Sequence, residues 1–310
     1  MTSDTMPPAV PAGPNAVKLY LAALVARAGA LPTTHQQIRL TMGDYSETGA
    51  ARLYRTRQPG PTTLGGVAGE WFIPEGHDPR RRNLYLHGGG WIGGSPSTHR
   101  QLVDAIAGVS GRATFAVDYR LAPEHAFPAG LDDCAAALDA IWGNGPEGPG
   151  EASSVAVLGD SAGGNLAGAV TVKALMEGAR GPSQVVLISP LIDARRPAAA
   201  EGVDDPVCTP QGIAAVTAAY LPPGGTADDP LVSPLAAPEA VIARFPPTLI
   251  QASADEYLRD MSVAFARRLW NAARPVMLGV WPGQPHVFQL FLPEIAEADQ
   301  AVRQIGQFLD

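Results

Sequence analysis

The sequence predicts an α/β protein: a mostly parallel, doubly wound sheet with a helical cap. Three observations carry that expectation. Short apolar, β-branched runs recur along the chain, namely "NLYLH" (83–87), "ATFAVD" (113–118), "SVAVLG" (154–159), "QVVLIS" (184–189), "PTLIQA" (247–252) and "PVMLGV" (275–280). They have the unbroken apolar character of strands buried on both faces. Longer amphipathic stretches separate them at 98–110, 127–142, 161–178, 259–273 and 293–309, and this strand-helix-strand order calls for parallel pairing. Finally, two regions lack the rhythm altogether and are expected to lie over the sheet's C-terminal edge, where open α/β sheets bind ligands.

Taken in order, residues 1–45 form the first cap segment, a Pro-rich coil followed by the apolar helix pattern "AVKLYLAALVARAG". The runs "HQQIRL" and "VAGEWFIP" are expected to add an antiparallel edge to the sheet. The core comprises residues 46–190 and 241–310. Between its two parts, 191–240 mixes Pro, Gly and acidic residues around the helix candidate "PQGIAAVTAAYL" and forms the second cap segment. With 310 residues, 46% of them hydrophobic, the chain can bury one large core, and a single domain is expected.

Composition narrows the partners. The net charge of −8 is spread without blocks, so no basic footprint for nucleic acid or anionic membrane exists. No apolar run reaches the roughly 18–20 residues of a membrane span. The N-terminus has no basic stretch before an apolar core, and Pro7 and Pro8 oppose a signal helix, so a cytoplasmic location is expected. Cys134 and Cys208 are far apart, without CxxC spacing or nearby histidines, and suggest neither a disulfide nor a metal site. A small or neutral ligand is the remaining expectation.

The chemistry begins at "GDSAG" (159–163), a G-x-S-x-G motif between the strand "SVAVL" and a helix candidate. A nucleophile elbow has this context, because so sharp a strand-to-helix turn strains the serine backbone and requires minimal neighbours. Ser161 is the candidate nucleophile. Its hydroxyl needs a base, which in proteins built around such an elbow comes last in the chain, after the acid. Of six histidines only His286, in "WPGQPHVFQLF", follows the final strand and precedes the last helix. The acid should follow the preceding strand, where "ADEYLRD" offers Asp255, Glu256 and Asp260. Asp260 falls at a helix start and suits a first-turn carboxylate; between Asp255 and Glu256 the chemistry alone does not choose.

An oxyanion hole needs two or three fixed N–H donors. "HGGGW" (87–91) lies directly after a strand, and glycine N–H groups can approach a substrate oxygen with no Cβ between. Gly88 and Gly89 are the expected donors, with Ala162 after the nucleophile. His87 sits behind them and is expected to brace the loop.

Together, "HGGGW", "DYRLAPEHAFPAGLDD" (118–133), "GDSAGGNLA" (159–167), "SPL" (189–191), "ADEYLRD" and "PHVFQ" resemble the hormone-sensitive-lipase-like (bacterial family IV) carboxylesterases over roughly residues 65–310. The resemblance implies an α/β-hydrolase fold with a helical cap, and hydrolysis of short to medium acyl esters without metal or cofactor. It places the triad on Ser161, Glu256 and His286. The acid stands two positions before Leu258, where most relatives carry Asp, and Asp255 is the alternative. Asp118, Tyr119, Arg120 and Glu124 are expected to form a polar network beneath the catalytic loops. Trp91, Leu191, Tyr220, Val287 and Phe288 are candidates for the apolar pocket.

The branch is also similar to monoterpene lactone hydrolases, which makes a lactone the alternative substrate. Haloalkane and epoxide chemistry would need Asp at the elbow. A non-catalytic ligand-binding relative is the other alternative, disfavoured because serine, acid and histidine all stand in order. Family relatives imply a homodimer through the last strand.

Overall fold

Nine strands form one sheet among the residues described by the computed structural model, which are 11–28, 55–58, 60–195, 203 and 205–310. In chain order the strands are β1 (Thr56–Arg57), β2 (Pro61–Leu64), β3 (Val67–Pro74), β4 (Arg81–Leu86), β5 (Ala113–Val117), β6 (Asn144–Gly145), β7 (Gly148–Pro149), β8 (Ser154–Asp160), β9 (Gln184–Ile188), β10 (Thr248–Ser253) and β11 (Val276–Trp281). β6 and β7 make a separate small hairpin. The sheet order is β1-β3-β5-β4-β8-β9-β10-β11, with β2 also paired to β3. Every neighbouring pair from β5 to β11 is parallel, while β3 runs antiparallel to β5 as the reading of "VAGEWFIP" expects. "HQQIRL" lies outside the described residues.

The helices are α1 (Pro14–Ala28), α2 (Arg100–Ser110), α3 (Ala129–Gly143), α4 (Ser161–Glu177), α5 (Pro210–Tyr220), α6 (Glu239–Ile242), α7 (Arg259–Asn271) and α8 (Ala296–Leu309). α3 starts two residues later than expected because Phe127 precedes Pro128, and the residue before proline avoids helical geometry. None of the described helices is long and apolar enough to cross a membrane.

Strand side chains alternate between two cores with period two. Leu84, Leu86, Phe115, Val155, Val157, Val185 and Leu187 face the core under α3, α4 and α7. Tyr85, Ala116, Ala156, Leu158, Val186 and Ile188 face the one under α2 and α8. Both faces are therefore dry, which is why these strands read as continuous apolar runs.

From β4 the chain winds outward to β5, then returns to β8 and continues the other way. β4 and β8 are neighbours, with Leu86 opposite Gly159. The loops bearing "HGGGW" and "GDSAG" thus leave the sheet side by side, at the point where the winding direction switches.

The two irregular segments join different cores. Val17 and Leu21 of α1 enter the second core, and Gly13 N–H donates to Glu294 O at 2.9 Å. α5 is capped by Thr209, whose Oγ1 accepts from Gly212 N–H at 3.0 Å, and Ile213, Val216 and Tyr220 enter the first core. Asn165 of α4 ties the second segment down, donating to Leu191 O and Val232 O, each at 2.8 Å.

Candidate active site

β8 ends at Asp160 and α4 begins at Ser161 with no loop between them. Ser161 takes φ +53°, a left-handed backbone that a side chain rarely adopts, so the elbow is strained. Gly163 makes the turn sterically feasible, since a Cβ there would lie 2.1 Å from Leu86 O. The turn lifts Ser161 Oγ to 3.0 Å from His286 Nε2. On the other side of the ring, Nδ1 lies 2.6 Å from Glu256 Oε2. Nδ1–H donates to this carboxylate, which leaves Nε2 to accept from the serine hydroxyl.

Glu256 is 1% exposed, and its second oxygen accepts from Ser253 N–H at 3.0 Å. Ser253 Oγ in turn donates to Gln284 O at 2.7 Å, which joins the acid-bearing loop to the base-bearing one. Asp255 turns the other way and pairs with Lys18 of α1 at 2.7 Å. Asp260 stands in the first turn of α7, paired with Arg259. Of the three carboxylates, the structure brings only Glu256 to His286.

The glycine loop is held by Asp160. Its Oδ1 accepts from Tyr85 Oη at 2.7 Å and from Gly88 N–H at 3.0 Å, and its Oδ2 lies 3.3 Å from His99 Nε2. Burial opposes charge on this carboxyl, but His99, Tyr85 and His87 outweigh it and hold its pKa below the ordinary value. This arrangement corrects one expectation. The Gly88 N–H is engaged by Asp160 and is not open to an oxyanion. Gly89 and Gly90 come next, with φ +120° and +62°, and both are partly exposed where Gly88 is buried.

His87 is buried behind the loop and stacks on Tyr119 at 4.2 Å, and Tyr119 Oη donates to His87 O at 2.7 Å. Burial, with His99 nearby, pushes the His87 pKa down to about 3. Of the residues expected in a polar network beneath the loops, Tyr119 is placed there. Arg120 instead turns outward to pair with Asp133 at 2.8 Å, and Asp118 is exposed.

The five apolar candidates divide between the two cores. Trp91 and Tyr220 stack face to face at 4.4 Å and share the first core with Leu191, whose N–H donates to Ser161 O at 3.0 Å. Val287 and Phe288 belong to the second core, where Phe288 packs against Trp281 at 5.5 Å.

Two further groups at the site were not anticipated. Asp160 occupies the variable position of G-x-S-x-G, which the motif does not constrain. Cys208 and Asp205, from the second irregular segment, offer ligand atoms that lie within 4.8 Å of one another and of a His286 nitrogen. Burial pushes the Cys208 thiol pKa up.

A family model described as alpha/beta hydrolase fold matches residues 83–290. The chain is 35% identical over 254 residues to an acetyl-hydrolase of Streptomyces hygroscopicus, spanning 80% of this chain and 81% of that protein. It is 33% identical over 294 residues to an ethyl acetate hydrolase of Pseudomonas putida, spanning 93% of this chain and 86% of that one. A solved esterase from the bacterial hormone-sensitive lipase family superposes with a TM-score of 0.81 at 33% identity, covering 93% of this chain and 95% of the other.

The His286 environment makes a pH prediction. Burial alone would lower its pKa, but Cys208 and the Glu256 carboxylate outweigh burial and raise it well above 6.5. Only the neutral ring accepts the Ser161 proton, so nucleophile reactivity is lost as pH falls through that raised value. The rate at which a fluorophosphonate labels Ser161 should reach half its maximum above pH 6.5, and Glu256→Gln should move that midpoint down. A midpoint below 6.5 in the wild type would contradict the assignment.

Proposed function

The chain belongs to the α/β-hydrolase family, in its hormone-sensitive-lipase-like branch of carboxylesterases, and on that premise we propose that Ser161, His286 and Glu256 hydrolyse short to medium acyl esters. The hydrogen-bonded line from Ser161 Oγ to His286 (3.0 Å) and on to Glu256 (2.6 Å), on a strained elbow, is the observation that supports this reading most directly.

In the first half-reaction Ser161 Oγ attacks the ester carbonyl while His286 Nε2 takes its proton, and Glu256 stabilises the resulting imidazolium. The negative charge that develops on the carbonyl oxygen is assigned to the N–H groups of Gly89, Gly90 and Ala162. Gly90 takes the place first expected of Gly88, whose N–H is engaged. Ala162, at the first turn of α4, has no preceding turn to accept its N–H, and the helix dipole favours negative charge there. As the intermediate collapses, the imidazolium protonates the departing alcohol and leaves an acyl-Ser161. Water then enters, gives its proton to His286 and releases the acid, regenerating the hydroxyl.

The relatives' names, acetyl-hydrolase and ethyl acetate hydrolase, point to open-chain esters with small acyl groups and not to lactones. Trp91, Tyr220 and Leu191 are proposed to border the acyl pocket, since they lie on the core nearer α5 and the elbow. α1 and the segment bearing α5 are proposed as the cap, supported by their ties to the Asp255 loop and to α4. Cys134 and Cys208 are both free thiols, which fits a reducing compartment such as the cytoplasm. A homodimer through β11 is supported by the outer edge of that strand, unpaired among the described residues, and by exposed Met277 and Val280. Light scattering on the purified chain should then read twice the monomer mass, and a monomer at micromolar concentration would exclude it.

The catalytic assignment is tested with p-nitrophenyl butyrate. Ser161→Ala should lose at least about 10³-fold in kcat, and Glu256→Gln about 10³- to 10⁴-fold. Asp255→Asn should stay within about threefold, because its side chain serves a surface-near ion pair of small energetic weight. A larger loss for Asp255→Asn than for Glu256→Gln would reassign the acid.

A further inference from the structure

We infer that Asp205, Cys208 and His286 form an inhibitory site for a borderline-soft divalent cation of the zinc class, one that shuts off the esterase by occupying its base. The inference rests on the reading of His286 as that base.

Each of the three residues offers one ligand atom, and these atoms all lie within 4.8 Å of one another. A tetrahedral zinc site with bonds of about 2.0–2.3 Å has ligand-to-ligand edges of roughly 3.3–3.6 Å, so modest side-chain rotations close the set. Asp205 supplies an independent sign of a ligand. It is only 7% exposed, and its Oδ1 accepts from Val207 N–H (2.9 Å) and Cys208 N–H (3.0 Å). Its Oδ2 is buried with no hydrogen-bond partner among the described residues. A bare carboxylate oxygen in the interior is costly unless a donor or a cation meets it.

The donor chemistry is selective. An imidazole nitrogen, a thiolate and one carboxylate oxygen suit zinc and its neighbours, whereas magnesium and calcium require shells of oxygen. Cys208 is a free cysteine, available as a ligand. It binds as the thiolate, so its proton is released on binding.

The site and the catalytic reaction compete for one atom. His286 Nδ1 is held by Glu256 at 2.6 Å, the same carboxylate-histidine arrangement that orients metal-binding imidazoles. That leaves Nε2, whose lone pair accepts from Ser161 Oγ at 3.0 Å, as the nitrogen open to a metal. A cation on Nε2 removes the acceptor for the Ser161 proton, so binding and turnover exclude each other. The same Glu256 that readies His286 as a base also readies it as a ligand.

The experiment uses the full chain stripped with EDTA. Titration with Co²⁺ should give a thiolate-to-cobalt charge-transfer band in the near ultraviolet that Zn²⁺ displaces. Micromolar Zn²⁺ should inhibit p-nitrophenyl butyrate hydrolysis, EDTA should reverse the inhibition, and Mg²⁺ should have no effect. Cys208→Ser should lose the cobalt band, and Cys208→Ser and Asp205→Asn should each need at least tenfold more Zn²⁺ for half inhibition, with melting temperatures confirming that both are folded. Ser161→Ala should keep the band, so that metal binding is read without any turnover. A wild type that shows the band but hydrolyses no ester would sink the triad reading and leave the metal site standing. No cobalt band in the wild type, or equal zinc sensitivity in wild type and both ligand variants, would overturn the proposal.

Discussion

The carboxylate of Asp160 is the constraint on which the site's geometry depends. It is 1% exposed, and it receives Tyr85 Oη and Gly88 N–H with His99 against its second oxygen. A buried charge is tolerable only when its lone pairs are met in this way, and once met it resists displacement. Because Asp160 directly precedes Ser161, fixing its side chain fixes where the elbow starts. Because it holds Gly88, it also fixes where Gly89 and Gly90 begin. The N–H groups proposed as oxyanion donors, on the glycine loop and at the start of α4, would thereby be set in one frame before any substrate arrives, which is the condition for electrostatic preorganisation.

The sheet makes this frame possible by setting β4 beside β8, with Leu86 opposite Gly159. Strain is then concentrated where the loops leave it. Among the described residues, five non-glycine residues have positive φ, and four of them, Trp91, Ser161, Ser189 and Val287, stand where the chain leaves the sheet at this edge. Neighbours hold each in place: Ser189 N–H donates to Gln251 O at 2.6 Å, and Val287 N–H to Ser189 Oγ at 3.3 Å. Such conformations persist only when packing over-determines them. Here the packing comes from both cores, one on each face of the sheet.

Much of this was legible in the sequence, for physical reasons that differ by residue. Strands buried on both faces have an unbroken apolar signature, so β4, β5 and β8–β10 could be read to within a residue or two; β11, the half-exposed edge strand, is apolar enough in sequence to be read as closely. The elbow could be read because its sharp turn dictates small residues around Ser161. His286 followed from order along the chain. The choice of glycine did not, since Gly88, Gly89 and Gly90 are chemically identical and only the neighbouring carboxylate decides which N–H is engaged. Asp160 itself sat in full view in a position that the motif leaves open. The partners of Arg120, the burial of Phe288 in the opposite core and the approach of Cys208 to His286 are all tertiary facts without a local pattern. Cys208 in particular read as a lone cysteine because His286 stands far off in sequence and a single aspartate three residues before it makes no pattern; folding brings the histidine to them.

The measurement that bears most directly on the account is the kinetics of Asp160→Ala on p-nitrophenyl butyrate, made alongside fluorophosphonate labelling of Ser161. If the carboxylate sets the frame of the oxyanion donors, kcat should fall by about 10²-fold or more with KM little changed, because those donors act on the transition state and not on the bound ester. Ser161 should still take the label, reporting a folded protein with its nucleophile in place. A folded Asp160→Ala protein that turns over at the wild-type rate would contradict the account.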